Sequence, residues 1–156
     1  MAKVGKRLKA GLAAVDRNKT YDVAAAVKIL KDHGAEIAAL IPEGAALVEF
    51  GSGSNKKARL LLQKAPKLTA YVPVDICAEM VEQEAADLRR DFPQLNVGPV
   101  VADFCHPFTL PAVAAAAKKR VGFFPGSTIG NFEPHEAAAF LRNAANILGP
   151  GATLII

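Results

Sequence analysis

The stretch that decides the fold is Leu47-Val48-Glu49-Phe50-Gly51-Ser52-Gly53-Ser54-Asn55-Lys56-Lys57-Ala58-Arg59-Leu60-Leu61-Leu62. Ala45–Phe50 is a short apolar run of strand length, and Gly51-Ser52-Gly53 stops it. A helix is expected from Asn55 to about Lys64, with Leu60, Leu61 and Leu62 along it and Pro66 beyond its end. The glycines permit a tight turn and a close backbone approach to a ligand. The helix that follows offers free N–H groups to negative charge. Such a strand–glycine turn–helix unit is shared by many nucleotide binders, and a plain connecting turn would read the same way. Gly51–Lys56 lacks Gly-Lys-Ser/Thr, which excludes a phosphate-cradling P-loop.

The alternation continues outward from this unit. Val23, Val27, Leu30, Ile37 and Leu40 predict an amphipathic helix over Tyr21–Ile41, ended by Pro42-Glu43-Gly44. Downstream, Thr69–Val74 reads as a strand closed by Asp75, Ala78–Asp91 as a helix, and Asn96–Ala102 as a strand closed by Asp103. The alanine run Ala114–Ala117 reads as helix. Arg120–Phe124 is a fourth strand, Pro134–Leu148 a helix opened by Glu133-Pro134 and closed by Gly149-Pro150-Gly151, and Ala152–Ile156 a fifth strand. Continuous apolar strands alternating with helices predict an α/β fold, a doubly wound and mostly parallel Rossmann-like sheet covered on both faces. An apolar strand with nothing beyond it is a liability, so the sheet reads as incomplete at its C-terminus and the chain as part of a larger enzyme.

Composition narrows the class. At 156 residues and 51% hydrophobic content, the chain has material for one core. It has no run of about 18 apolar residues to span a membrane, and its first residues do not read as a secretory signal. Two cysteines, Cys77 and Cys105, are too few for a disulfide framework and fit a cytoplasmic protein. They read as small half-buried hydrophobes. The net charge of +4 belongs to residues 1–20, which carry six Lys/Arg against Asp16 alone and read as a basic, disordered tail ahead of a core over 21–156. A basic tail also suits nucleic acid or anionic lipid; neither is expected here as a partner. His33, His106 and His135 have no partner at metal-ligand spacing and read as surface or locally hydrogen-bonded groups.

In an open parallel sheet, ligands bind at the carboxyl ends of the strands. Asp75 falls 22 residues after Gly53, the offset at which a carboxylate reaches ribose hydroxyls. Asp103-Phe104 places an acid and an aromatic face at the next strand end, suited to an exocyclic amine and a purine. A glycine turn with two such acids fits an adenosyl group without phosphate. The fourth strand runs into Pro125-Gly126-Ser127-Thr128-Ile129-Gly130-Asn131-Phe132, a polar close-approach loop at the same edge of the sheet. An alternative duty for Asn131 is to cap the following helix.

LVEFGSGSNKKARLLL (47–62), YVPVDI (71–76), VADF (101–104) and FFPGSTIGNF (123–132) resemble the L-histidine Nα-methyltransferase family of ergothioneine biosynthesis, over about residues 29–156. The resemblance implies S-adenosyl-L-methionine as the cofactor. It implies that Gly51 approaches the methionine part, Lys57 pairs with its carboxylate, Asp75 holds the ribose, and Asp103 and the Phe104 backbone read the adenine. It places Asn131 on the amino-acid end of L-histidine and Tyr21 at a substrate-contacting tyrosine. Around Tyr21, Asp22-Val23-Ala24-Ala25-Ala26 replaces the family pattern, and the family's imidazole-contacting region falls beyond Ile156. Arg59 is expected on the surface. No residue reads as a general base or metal ligand, which leaves the released proton to water. Two rivals stay open: a methyltransferase of another acceptor on the same scaffold, and a non-catalytic cofactor-binding fragment. Amino-methylating DNA enzymes carry an Asn/Asp-Pro-Pro-aromatic loop, whereas Asn131 is followed by Phe132-Glu133-Pro134.

Overall fold

The computed structural model describes residues 23–53, 56–125 and 128–156. The basic segment 1–20 and Tyr21 lie outside the described residues. The elements run α1 (Val23–Ala38), β1 (Ala45–Phe50), α2 (Lys56–Leu62), β2 (Ala70–Asp75), α3 (Ala78–Asp91), β3 (Asn96–Val97), β4 (Val100–Val101), α4 (Ala112–Ala115), β5 (Lys119–Phe123), α5 (Pro134–Leu148) and β6 (Thr153–Ile155). The strands form one sheet in the order β3-β2-β1-β5-β6, with β4 also on β2, and every pairing is parallel.

β1 is the centre. All six of its residues are buried, as a strand covered on both faces requires. Alternation sends Ala45 and Leu47 to one core, with Tyr71, Val121 and Phe123 from the neighbouring strands and Ala58, Leu61, Ala85 and Leu88 from α2 and α3. Ala46, Val48 and Phe50 face the other core with Val72, Val74, Phe124 and, from α5, Phe140, Ala144 and Leu148. Gly122 makes the second layer possible: a Cβ there would stand 2.6 Å from Leu154 Cδ1 and 2.8 Å from Leu148 Cδ1. At the far end of α5, Arg120 donates from Nη1 to the Leu148 carbonyl at 2.8 Å, placing a cation at the negative end of the helix dipole.

Two expectations are corrected and one alternative is closed. The strand expected over Asn96–Ala102 is two short bridges, β3 and β4, because Gly98-Pro99 interrupts it and Pro99 has no N–H to give. Asn131 does not cap α5. It ends a 3₁₀ turn, Thr128–Asn131, and the cap is Glu133, whose N–H donates to the Glu136 carboxylate at 2.9 Å with Pro134 following at the first helical position. Cys77 and Cys105 are exposed rather than half-buried, since each sits two residues beyond a strand-end aspartate.

Candidate functional site

Because the strands are parallel and in register, β1, β2, β4 and β5 deliver their exits to one edge: Phe50 pairs with Val74, Asp75 with Val101, and Glu49 with Phe123. At the centre of that edge the chain turns at Gly51, whose φ of 71° strains any residue with a Cβ. The N–H groups of Gly51 and Ser52 both donate to the Val74 carbonyl, at 2.9 and 3.0 Å, which ties the turn to β2. A Cβ on Gly51 would lie 3.1 Å from Phe104 Cε1, so glycine also admits the Phe104 ring.

Asp75 follows immediately on β2. Its Oδ2 accepts from the Gly53 N–H at 3.1 Å and its Oδ1 from the Cys77 N–H at 3.2 Å. Each oxygen retains a further lone pair, the arrangement a vicinal diol needs. Asp103, on the neighbouring exit, accepts from the Cys105 N–H at 2.8 Å and pairs with His106 Nδ1 at 2.8 Å. The bond from the Cys105 N–H, reinforced by His106, holds its carboxyl below the usual range, so it stays an acceptor. His106 is thus locally bonded, as read from the sequence; His33 lies 3.7 Å from Glu36.

Phe104 joins an aromatic cluster around Phe140, with ring centroids 5.9 Å from Phe140 and 5.5 Å from Phe124; Phe140 in turn lies 5.6 Å from Phe50 and 5.9 Å from Phe132. The glycine turn, the Asp103 loop and the loop after β5 therefore share one hydrophobic anchor. Lys57, on the first turn of α2, reaches across the edge and donates from Nζ to the Pro125 carbonyl at 2.9 Å. Asn131 lies in the same loop, exposed. Arg59 bridges to Asp91 of α3 at 2.5 Å, away from this edge, as expected.

Sequence reasoning missed two features. Glu49, the one acid inside β1, is fully buried and accepts from the Tyr71 hydroxyl on β2. Burial raises its pKa to about 8, against the opposing pull of the Tyr71 bond and the Lys57 charge; Glu84 and Asp75 push it further up. Its Oε1 is buried without a partner, and so is Ser52 Oγ in the glycine turn. A lone acid in an otherwise apolar strand was the available signal. The second feature is Ile76, 71% exposed immediately after Asp75 at the β2 exit. An open groove of about 490 Å³ beside Gly149, Pro150 and Gly151 lies at the opposite end of the strands and has none of this chemistry. Among the described residues, no cluster of His, Cys, Asp and Glu is arranged to hold a metal ion, and no helix is long and apolar enough to cross a membrane.

A parallel sheet with a glycine turn after its central strand and acids at the next two exits defines a Rossmann-like methyltransferase core. Solved methyltransferase structures share the fold: a mitomycin 7-O-methyltransferase at 17% identity and TM-score 0.55, covering 81% of this chain and 35% of that one, and an O-methyltransferase from neocarzinostatin biosynthesis at 19% identity and TM-score 0.54, covering 84% and 39%. The chain belongs to the histidine-specific, S-adenosylmethionine-dependent methyltransferase family, which it matches over residues 15–156. It is 32% identical over 139 residues to the histidine N-alpha-methyltransferase of Mycobacterium tuberculosis and 35% identical over 140 residues to that of Mycolicibacterium smegmatis, covering 87% of this chain and 42% of each relative. Ergothioneine biosynthesis protein 1 of Neurospora crassa is 31% identical over 134 residues, covering 83% of this chain and 15% of its own. The chain thus spans less than half the length of these relatives.

Proposed function

We propose that residues 21–156 bind S-adenosyl-L-methionine across the exits of β1, β2 and β4, as the cofactor half of an enzyme that methylates the α-amino group of L-histidine to trimethylhistidine. The carrying observation is Asp75: a carboxylate at the β2 exit, each oxygen oriented by one backbone N–H and one of those N–H groups belonging to the glycine turn itself. The site suits the cofactor in other respects as well. Ser52 Oγ offers unmet hydrogen-bonding capacity at the turn, and Ile76 offers apolar surface for a purine face. Gly51 lets the backbone approach the methionine part, Asp75 receives the ribose hydroxyls, and Asp103 with the Phe104 backbone reads the adenine edge. Lys57 keeps two ammonium protons beyond the one given to Pro125, enough for a carboxylate.

When bound, the cofactor supplies an electrophilic methyl on its sulfonium, so the protein's task is to align a neutral amine with it and exclude water. Asn131, in the loop after β5, is assigned to the amino-acid end of histidine, and Tyr21 to the same substrate. The family and the names of the relatives support histidine over other acceptors.

Calorimetry with S-adenosylhomocysteine, alone and with L-histidine present, tests the reading. Saturable binding of S-adenosylhomocysteine is expected. Its absence would overturn the cofactor assignment, and a competing acceptor that tightens binding where histidine does not would overturn the acceptor.

A further inference from the structure

Asn143 lies on α5, one helical turn beyond Phe140 and on the same face. Its Nδ2 donates to two carbonyls of the loop at the β4 exit: Phe104 O at 3.1 Å and His106 O at 2.9 Å. Both partners are acceptors, which settles the orientation of the side-chain amide, and both of its N–H bonds are spent. The Phe104–Cys105 peptide is then held from both sides. Asn143 takes its carbonyl, and the Asp103 carboxylate takes its N–H at 2.8 Å. A peptide unit is planar, so fixing the carbonyl fixes the direction of the opposite N–H. That N–H is the one that orients Asp103.

We infer that Asn143 is a positioning residue for base recognition: it acts through the Phe104–Cys105 peptide to aim the Asp103 carboxylate at the exocyclic amine of the cofactor's adenine. The helix that follows the acceptor loop thereby sets the geometry of the base-reading loop, 39 residues away in sequence. The inference rests on the assignment of Asp103 to adenine made above.

The test compares S-adenosylhomocysteine with S-inosylhomocysteine, in which a carbonyl oxygen replaces the exocyclic amine. The parent chain is expected to prefer the adenosyl ligand. Asn143→Ala should cut that preference about tenfold, the upper end of the scale for one lost neutral hydrogen bond. Asn143→Asp keeps the shape but turns donors into acceptors, and should cut it at least as far; it also serves if Asn143→Ala fails to fold. Hydrogen exchange of the Cys105 amide should accelerate in both variants. A general weakening of both ligands with the preference intact would mean a merely structural role and would overturn the inference, as would unchanged Cys105 exchange. A parent chain without base preference would instead remove Asp103 from the adenine, and the inference with it.

Discussion

The Tyr71 hydroxyl on β2 donates to the Glu49 carboxyl on β1, so that two neighbouring strands are joined by a side-chain bond directly beneath the glycine turn. Neither residue is exposed. With a folded pKa near 8 against an ordinary 4.5, Glu49 is protonated in the folded chain at neutral pH and ionised in the unfolded one. The unfolded state thus releases its proton first. This contribution costs nothing below about pH 4.5, and lowers stability progressively as the pH rises towards 8. Glu49→Gln, which cannot ionise, should flatten the fall in melting temperature over that window. An unchanged slope in thermal melts across pH 5–8 would show that another group is responsible.

Asp75→Ala should weaken S-adenosylhomocysteine binding by about 2–3 kcal/mol, the range for hydrogen bonds to a charged group. The loss has two sources, because the variant also frees the Gly53 N–H that Asp75 now holds. Calorimetry returning the parent affinity would take Asp75 out of the site.

Lys57→Ala separates the two ends of the ligand. If the ammonium meets the methionine carboxylate, S-adenosylhomocysteine should bind about tenfold more weakly or worse, whereas 5′-methylthioadenosine, which lacks that carboxylate, should bind as before. Equal losses for both ligands would mean that Lys57 acts only by tethering Pro125.

The 156-residue chain by itself is expected to bind the cofactor yet methylate histidine very slowly. Its own assigned acceptor contacts are Asn131, at the amino-acid end, and Tyr21; neither is assigned to the imidazole, and misalignment of about 1 Å is worth a hundredfold in rate. Adding the portion of the longer relatives that this chain does not span, fused or as a separate polypeptide, should raise the rate. Mass spectrometry showing rapid accumulation of trimethylhistidine with the chain alone would refute this division of labour.

Much of the fold was legible because its cause is local. β1 announces itself as a continuous apolar run cut by glycine, and Pro134–Leu148 by a proline start and a glycine stop; the structure agrees with both. The Gly98-Pro99 break was visible in composition, but its effect depends on β2 finding a partner on either side of it. Asp75 could be found by its offset from the glycine turn, and Asp103 by its place at the end of the next strand. Asn143 could not: its partners lie 37 and 39 residues back, and one amide in the last helix has no periodicity to mark its target. The exposure of Cys77 and Cys105 escaped for a related reason. Burial of a small residue just past a strand is decided by how the loop turns, here by an aspartate two residues earlier taking the cysteine N–H.

The position of β1 between β2 and β5 sets a schedule for synthesis. On a ribosome, β2 follows β1 after about 20 residues, but β5 arrives only about 70 residues after β1, which at roughly 5–20 residues per second is a delay of several seconds. Through that interval β1 and β2 can pair while one side of β1 waits, with Ala46, Val48 and Phe50 lacking the α5 residues that cover them in the finished chain. The nascent chain therefore presents a paired but half-covered sheet to whatever stands at the tunnel exit. Slow decoding anywhere between residues 76 and 148 would lengthen that exposure, because α5 is complete only at Leu148.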